Sequence, residues 1–217
     1  MKRIILILSI LIFGTATAQS RLYFSGGMSS SFGGNINTLF ASERFGHACF
    51  DLEWDRKMMG SFHSLIGLSY FRVGYFSEEN VFGSMSRFRG DYLALPVMFR
   101  FNVADRNQIY IEAGPSPYYL LNATLEEGIT RFGVFESNSA NITAYSNHFY
   151  MAFRFQFSVA FGRFIFSEVI MWQGEGNPST KDLANHWFLN AQESTYLLSQ
   201  GYADFMLFGF KVGMRLK

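Results

Sequence analysis

Apolar and polar positions alternate along this chain in segments of about ten residues. The clearest run is 91–121. Leu93, Leu95, Val97, Phe99 and Phe101 fall on one face of an extended chain, with Tyr92, Ala94, Pro96, Met98 and Arg100 on the other. Ile109, Ile111 and Ala113 then oppose Tyr110, Glu112 and Gly114, and 104–107 supplies the polar turn between the two arms. Further along, Phe149, Met151, Phe153, Phe155, Phe157, Val159 and Phe161 share a face against Tyr150, Ala152, Arg154, Gln156, Ser158, Ala160 and Gly162. At the end of the chain Phe208, Phe210, Val212, Met214 and Leu216 oppose Gly209, Lys211, Gly213 and Arg215.

The pattern predicts eight antiparallel strands, the first at 21–32 and the next two near 46–56 and 61–76. The connections between the eight are 33–44, 57–60, 77–87, 103–107, 122–147, 162–164 and 174–200. They alternate long and short, as the outer loops and periplasmic turns of a single-chain transmembrane barrel do. Arms of this length suit a tilted crossing of about 9–11 residues. One face is large and apolar; the other mixes Tyr, Gly and Ala with single charges, unlike the Lys- and Glu-rich face of a solvated sheet. The expected fold is therefore all-β, an eight-stranded up-and-down barrel with lipid outside and both termini in the periplasm.

Several details carry their own expectations. Arg72 falls on the face of Ile66, Leu68 and Tyr70, so a bulge or the membrane boundary should lie beside it. Pro96, Pro115 and Pro117 each remove a ladder donor; Pro96 predicts a bulge, and the other two a place near the outer rim. Tyr75, Phe76, Tyr92, Tyr118, Tyr119, Tyr150, Trp172 and Tyr202 are expected at an outer aromatic girdle. Trp54, Phe62, Phe99, Phe101, Tyr110 and Phe161 are expected at the girdle near the turns.

Composition agrees with a membrane barrel. Charged residues make up 16% of the chain, below the roughly 25% of soluble domains, while aromatics reach 18% with 26 Phe. A net charge of +1 lacks the basic footprint of a nucleic-acid binder. Residues 1–18 read as a secretory signal peptide: basic Lys2 and Arg3, an apolar run at 4–13, then Ala16-Thr17-Ala18. Residues 19–217 then form one barrel domain. Past the leader no apolar run approaches the length of a membrane helix. Cys49 is the single cysteine, so no internal disulfide forms.

Tyr92-Leu93-Ala94-Leu95-Pro96, followed by Tyr110-Ile111-Glu112-Ala113-Gly114-Pro115 and Tyr118-Tyr119-Leu120-Leu121, resembles the central hairpin of small bacterial outer-membrane β-barrel proteins of the PorT-like group. Ala94 departs from the acidic or polar residue common there. The resemblance implies an outer-membrane protein without enzymatic activity, in a group where some members serve secretion or surface assembly. Met214-Arg215-Leu216-Lys217 resembles the C-terminal strand read by the barrel-insertion machinery, without a terminal aromatic.

The candidate chemistry is a lumen charge network. Asp51, Glu53 and Glu112, with Asp55 and Glu168 as further candidates, should face Arg100, Arg154, Lys211 and Arg215. An eight-stranded barrel is just wide enough for side chains to fill it. Buried charges must pair, so a salt-bridged plug is expected, with a narrow ion pathway as the alternative. A lipid-modifying enzyme is the third reading. His63-Ser64 lies beside a turn with its two side chains on opposite faces, while His148 and Tyr150 share a face by alternation. No metal-ligand spacing or cofactor motif stands out. The expected partners are membrane lipids and, through loops 122–147 and 174–200, other envelope proteins. Trp187 and Phe188 are the candidate docking pair. The remaining alternative, a soluble lipocalin-like barrel with its apolar face inside, would expose Gly, Ala and Tyr to water.

Overall fold

The computed structural model of the chain describes residues 20–33, 47–79, 84–104, 108–131, 134–143, 148–172 and 205–216. Trp187, Phe188, Tyr202, the 1–18 segment and most of loops 33–44 and 174–200 lie outside them. Among the described residues ten strands form one antiparallel sheet. They are β1 (Ser20–Gly33), β2 (His47–Met59), β3 (Phe62–Glu79), β4 (Ser84–Ala94), β5 (Val97–Ala104), β6 (Ile109–Arg131), β7 (Val134–Asn141), β8 (Phe149–Phe161), β9 (Phe164–Trp172) and β10 (Phe205–Arg215).

The sheet closes on itself. Its order runs β2, β1, β10, β9, β8, β6, then β4 and β5, then β3, which pairs back onto β2. β4 and β5 occupy one position: β4 pairs with the upper parts of β3 and β6, and β5 with their lower parts. The barrel thus has the expected eight positions, one of them broken at Leu95–Pro96. At the break the ladder is bridged by Gly67 N donating to Pro96 O at 2.9 Å and by Leu95 N donating to Pro117 O at 2.9 Å. The fault expected at Pro96 is this interruption; the register shift against β6 sits higher, between Asp91 and Tyr92, level with Arg72. Pro115 and Pro117 are not at the rim. They lie mid-strand opposite Phe153 and Met151 because β6 continues to Arg131. Missing donors and strand break therefore gather at one seam.

The faces segregate by parity. Phe24, Leu52, Leu68, Leu93, Phe99, Ile111, Phe155, Phe166 and Val212 point outward and are exposed, while their chain neighbours point in and are buried. Along β8 the outward apolar row runs from Phe149 to Phe161, 13 residues. At about 3.3 Å per residue and a tilt near 40° that is roughly 30 Å of height, a hydrocarbon thickness. Above it the outward face turns polar. Arg72 Nε meets Asp91 Oδ1 at 2.7 Å, and Asn141 donates to Asn122 at 2.9 Å. Arg72 thus lies where the outward face turns polar, level with the register shift between Asp91 and Tyr92.

Two of the expected short connections, 57–60 and 162–164, are tight turns among the described residues. Gly60 and Gly162 take positive φ of 55° and 60° there, a conformation that costs glycine nothing. The long-short alternation fails at 77–87, however, because β3 and β4 extend to leave only 80–83 between them. Loop 122–147 likewise holds the upper half of β6 and all of β7. Strand character continues past the apolar belt, and alternating hydrophobicity cannot reveal strands that have no apolar side.

The aromatic assignments divide. Tyr119 and Trp172 are outside as expected. Tyr92, Tyr118 and Tyr150 are not a girdle; they point into the lumen and pack with Phe71. Tyr118 and Tyr150 stack at 5.2 Å, and Tyr92 meets Tyr118 edge-on at 5.3 Å. Tyr110 is also inside, near Tyr23.

Candidate functional site

Inward parity on β2 delivers Asp51, Glu53 and Asp55 in a column, and the barrel's narrow bore brings them to bases on strands far away in sequence. Two linked clusters result. In the upper one, Arg154 Nη2 on β8 meets Asp51 Oδ2 at 2.7 Å and Glu53 Oε1 at 3.1 Å. Lys211 Nζ on β10 contacts Asp51 and lies 3.2 Å from Glu53. Gln156 Oε1 accepts from both cations, at 2.8 and 3.1 Å, and Ser69 accepts from Arg154 at 2.8 Å.

The lower cluster centres on Arg100. Its Nε donates to Glu112 and its Nη1 to Asp55, both at 2.8 Å. Asp55 also contacts His63 Nδ1 at 2.9 Å. The guanidinium lies over the Tyr110 ring at 4.8 Å and within 5.3 Å of Tyr23. Arg100 and Glu112 are wholly buried. A charge removed from water so fully is stable only with partners, and here each has them.

Asp51, Glu53, Arg100, Glu112, Arg154 and Lys211 therefore meet as the alternation implied, and Asp55 joins them. Two expected members do not. Arg215 has inward parity but makes no side-chain ion pair with a described residue; it sits at the end of β10, in register with Tyr23. Glu168 is on the outer wall, exposed, because β9 enters from the Gly162–Arg163 turn with even residues outward. Sequence reasoning missed His63, Ser69 and Gln156 as network members. Gln156 was legible in the β8 alternation; the others needed the closure of the barrel.

The paired charged side chains are buried inside the bore at this height. Above the upper cluster a cavity of about 20 Å³ is lined by Cys49, Phe71, Met171 and Leu207. That is room for about one water, against the 300 Å³ or more of a small-molecule site. Three further observations bear on enzyme readings. His63 and Ser64 do point to opposite sides, one buried and one partly exposed. His148 and Tyr150 do not share a face: His148 stacks on outward Tyr119 at 5.3 Å while Tyr150 stacks on inward Tyr118. Among the described residues no three metal-ligating side chains converge.

No protein-family model matches the sequence, and no curated relative does. Solved structures of similar shape include Ail, the attachment invasion locus protein of Yersinia pestis (12% identity, TM-score 0.48, 91% of this chain and 99% of that one). They also include CarO of Acinetobacter baumannii (13%, TM-score 0.45, 87% and 96%) and Neisserial surface protein A (6%, TM-score 0.43, 91% and 99%). None of these likenesses assigns a role to this chain.

Proposed function

We propose that this chain is a non-enzymatic protein of the bacterial outer membrane, a plugged barrel that carries a strand-built platform for binding another protein. The plug is the cross-lumen pairing of three fixed cations with four carboxylates. The platform is the observation that carries the binding role. β3, β4 and β6 continue beyond the Arg72–Asp91 pair, and β7 adds to β6 there. Among the described residues β7 pairs on one side alone. A sheet edge raised above a membrane suits strand addition by a partner. The turn end faces the periplasm in this reading, the platform faces outward, and the last strand serves the insertion machinery. A role as a secretion or surface-assembly subunit fits the resemblance of residues 92–121 to the PorT-like group.

A photo-crosslinker placed at exposed Ala140 in living cells tests the platform. A protein adduct should form, and Ser139→Pro should abolish it while the barrel still migrates faster unboiled than boiled. The pore reading is favoured instead if no β7 position gives an adduct and purified protein passes ions across a planar bilayer. Altered lipid A in cells carrying the protein would favour the enzyme.

A further inference from the structure

Between Arg56 near the turn end and the Arg72–Asp91 pair above, one charged side chain stands on the outward face of the described residues: Glu168. Its register neighbours are Phe157 on β8 and Phe210 on β10, which are 47% and 70% exposed, and Phe166 and Ile170 flank it on β9. It lies four residues above the start of β9, about 10 Å into the apolar belt at a strand tilt near 40°. None of the described residues gives it a hydrogen bond or an ion pair. A carboxyl group held in hydrocarbon is costly without a partner, and an ionisable residue there marks a site of interaction.

We infer that Glu168 is the centre of a dimer contact between two copies of this chain, made through the outward wall of β8, β9 and β10. The inference rests on the reading of the outward face as membrane-facing. The chemistry of the wall points to a second copy. Among its described strand residues it offers large apolar side chains and no outward cation, so it complements another surface of the same kind. On a two-fold axis a residue meets its own copy, and carboxyl groups are self-complementary: one O–H donates to the facing carboxyl oxygen. The axis also dictates which side chains face each other beside Glu168. Phe210 of one copy lies opposite Phe157 of the other, because β10 and β8 flank β9 on opposite sides.

The test uses the full chain in phosphatidylcholine vesicles, which supply no lipid amine. The F157C/F210C variant should be linked as a dimer by a short bismaleimide; L68C, on the opposite wall, should not. Adding E168L should lower the linked fraction about tenfold, on the scale of one intramembrane polar contact. E168Q should keep it, since two amides reciprocate as two carboxyls do. A monomer in phosphatidylcholine overturns the proposal, and if dimers then appear with phosphatidylethanolamine the carboxyl group serves a lipid amine. A dimer that survives E168L also overturns it. A chain that stays soluble without detergent or lipid defeats the membrane reading itself, an outcome distinct from a membrane-embedded monomer.

Discussion

Arg154 on β8 donates to Asp51 on β2 at 2.7 Å, across the bore and across 103 residues of sequence. The pair ties opposite sides of the barrel, and Glu53, Gln156 and Ser69 hold the same guanidinium. Removing the arginine leaves two buried carboxylates with Lys211 as their remaining cation. Arg154→Ala should cost about 3–5 kcal/mol, the range for breaking a buried pair. The readout is the urea concentration at which the fast-migrating unboiled band disappears; an unchanged midpoint would remove Arg154 from the plug.

The lower cluster predicts an order of effects. Arg100 serves Glu112 and Asp55 together, whereas His63 serves Asp55 alone. Arg100→Met takes the arginine from Glu112 and leaves Asp55 with His63 alone, and should cost about 3–5 kcal/mol. His63→Leu removes one hydrogen bond but leaves Asp55 its arginine, for about 1–3 kcal/mol. Equilibrium unfolding of both variants decides it, and a histidine variant as damaged as the arginine one would refute the hierarchy.

Closure at the β1–β10 seam makes a steric prediction. A Cβ on Gly27 would lie 1.9 Å from the Phe210 carbonyl oxygen, while one on Gly209 would find nothing nearer than 3.4 Å. Backbone cannot yield as a side-chain tip can. Gly27→Ala should therefore destabilise by at least the ~1–3 kcal/mol typical of overpacking. Gly209→Ala should be close to neutral. Heat-modifiability of refolded protein separates the two; equal behaviour would mean the seam is looser than its backbone spacing implies.

Much of this was readable from alternation, and the failures share a cause. Parity alone assigned Asp51, Glu53, Arg100, Glu112, Arg154 and Lys211 to the lumen, because a half-apolar strand reports its own faces. It says nothing about height. Arg215 shares the parity yet lies at the end of its strand, and Pro115 and Pro117 sit mid-strand because β6 runs on to Arg131. Parity is also silent where neither face is apolar, which hid β7. Tyr92, Tyr118 and Tyr150 show the converse error. Their alternation pointed inward, but aromatic identity drew them to the girdle, where Tyr119 and Trp172 belong. Glu168 was misassigned because a charge in an apolar belt is expected to hide.

Cys49 gives a probe of the plug that needs no destabilised variant. It sits on β2 with inward parity, 6% exposed, beside Asp51, Arg154 and Lys211 at the floor of the small cavity. A thiol reacts as the thiolate and only where reagent reaches it. A lumen packed at the density of a protein interior admits water but not a maleimide. The folded protein in detergent should therefore resist N-ethylmaleimide for hours, and full modification should appear only with urea unfolding. Arg154→Ala, if it still folds, should be modified faster without denaturant, because a shortened side chain opens the space next to Cys49. Mass spectrometry of timed samples reads both rates. Rapid labelling of the folded wild type would mean the bore is open to a molecule the size of the reagent, and the plug would then give way to the pore.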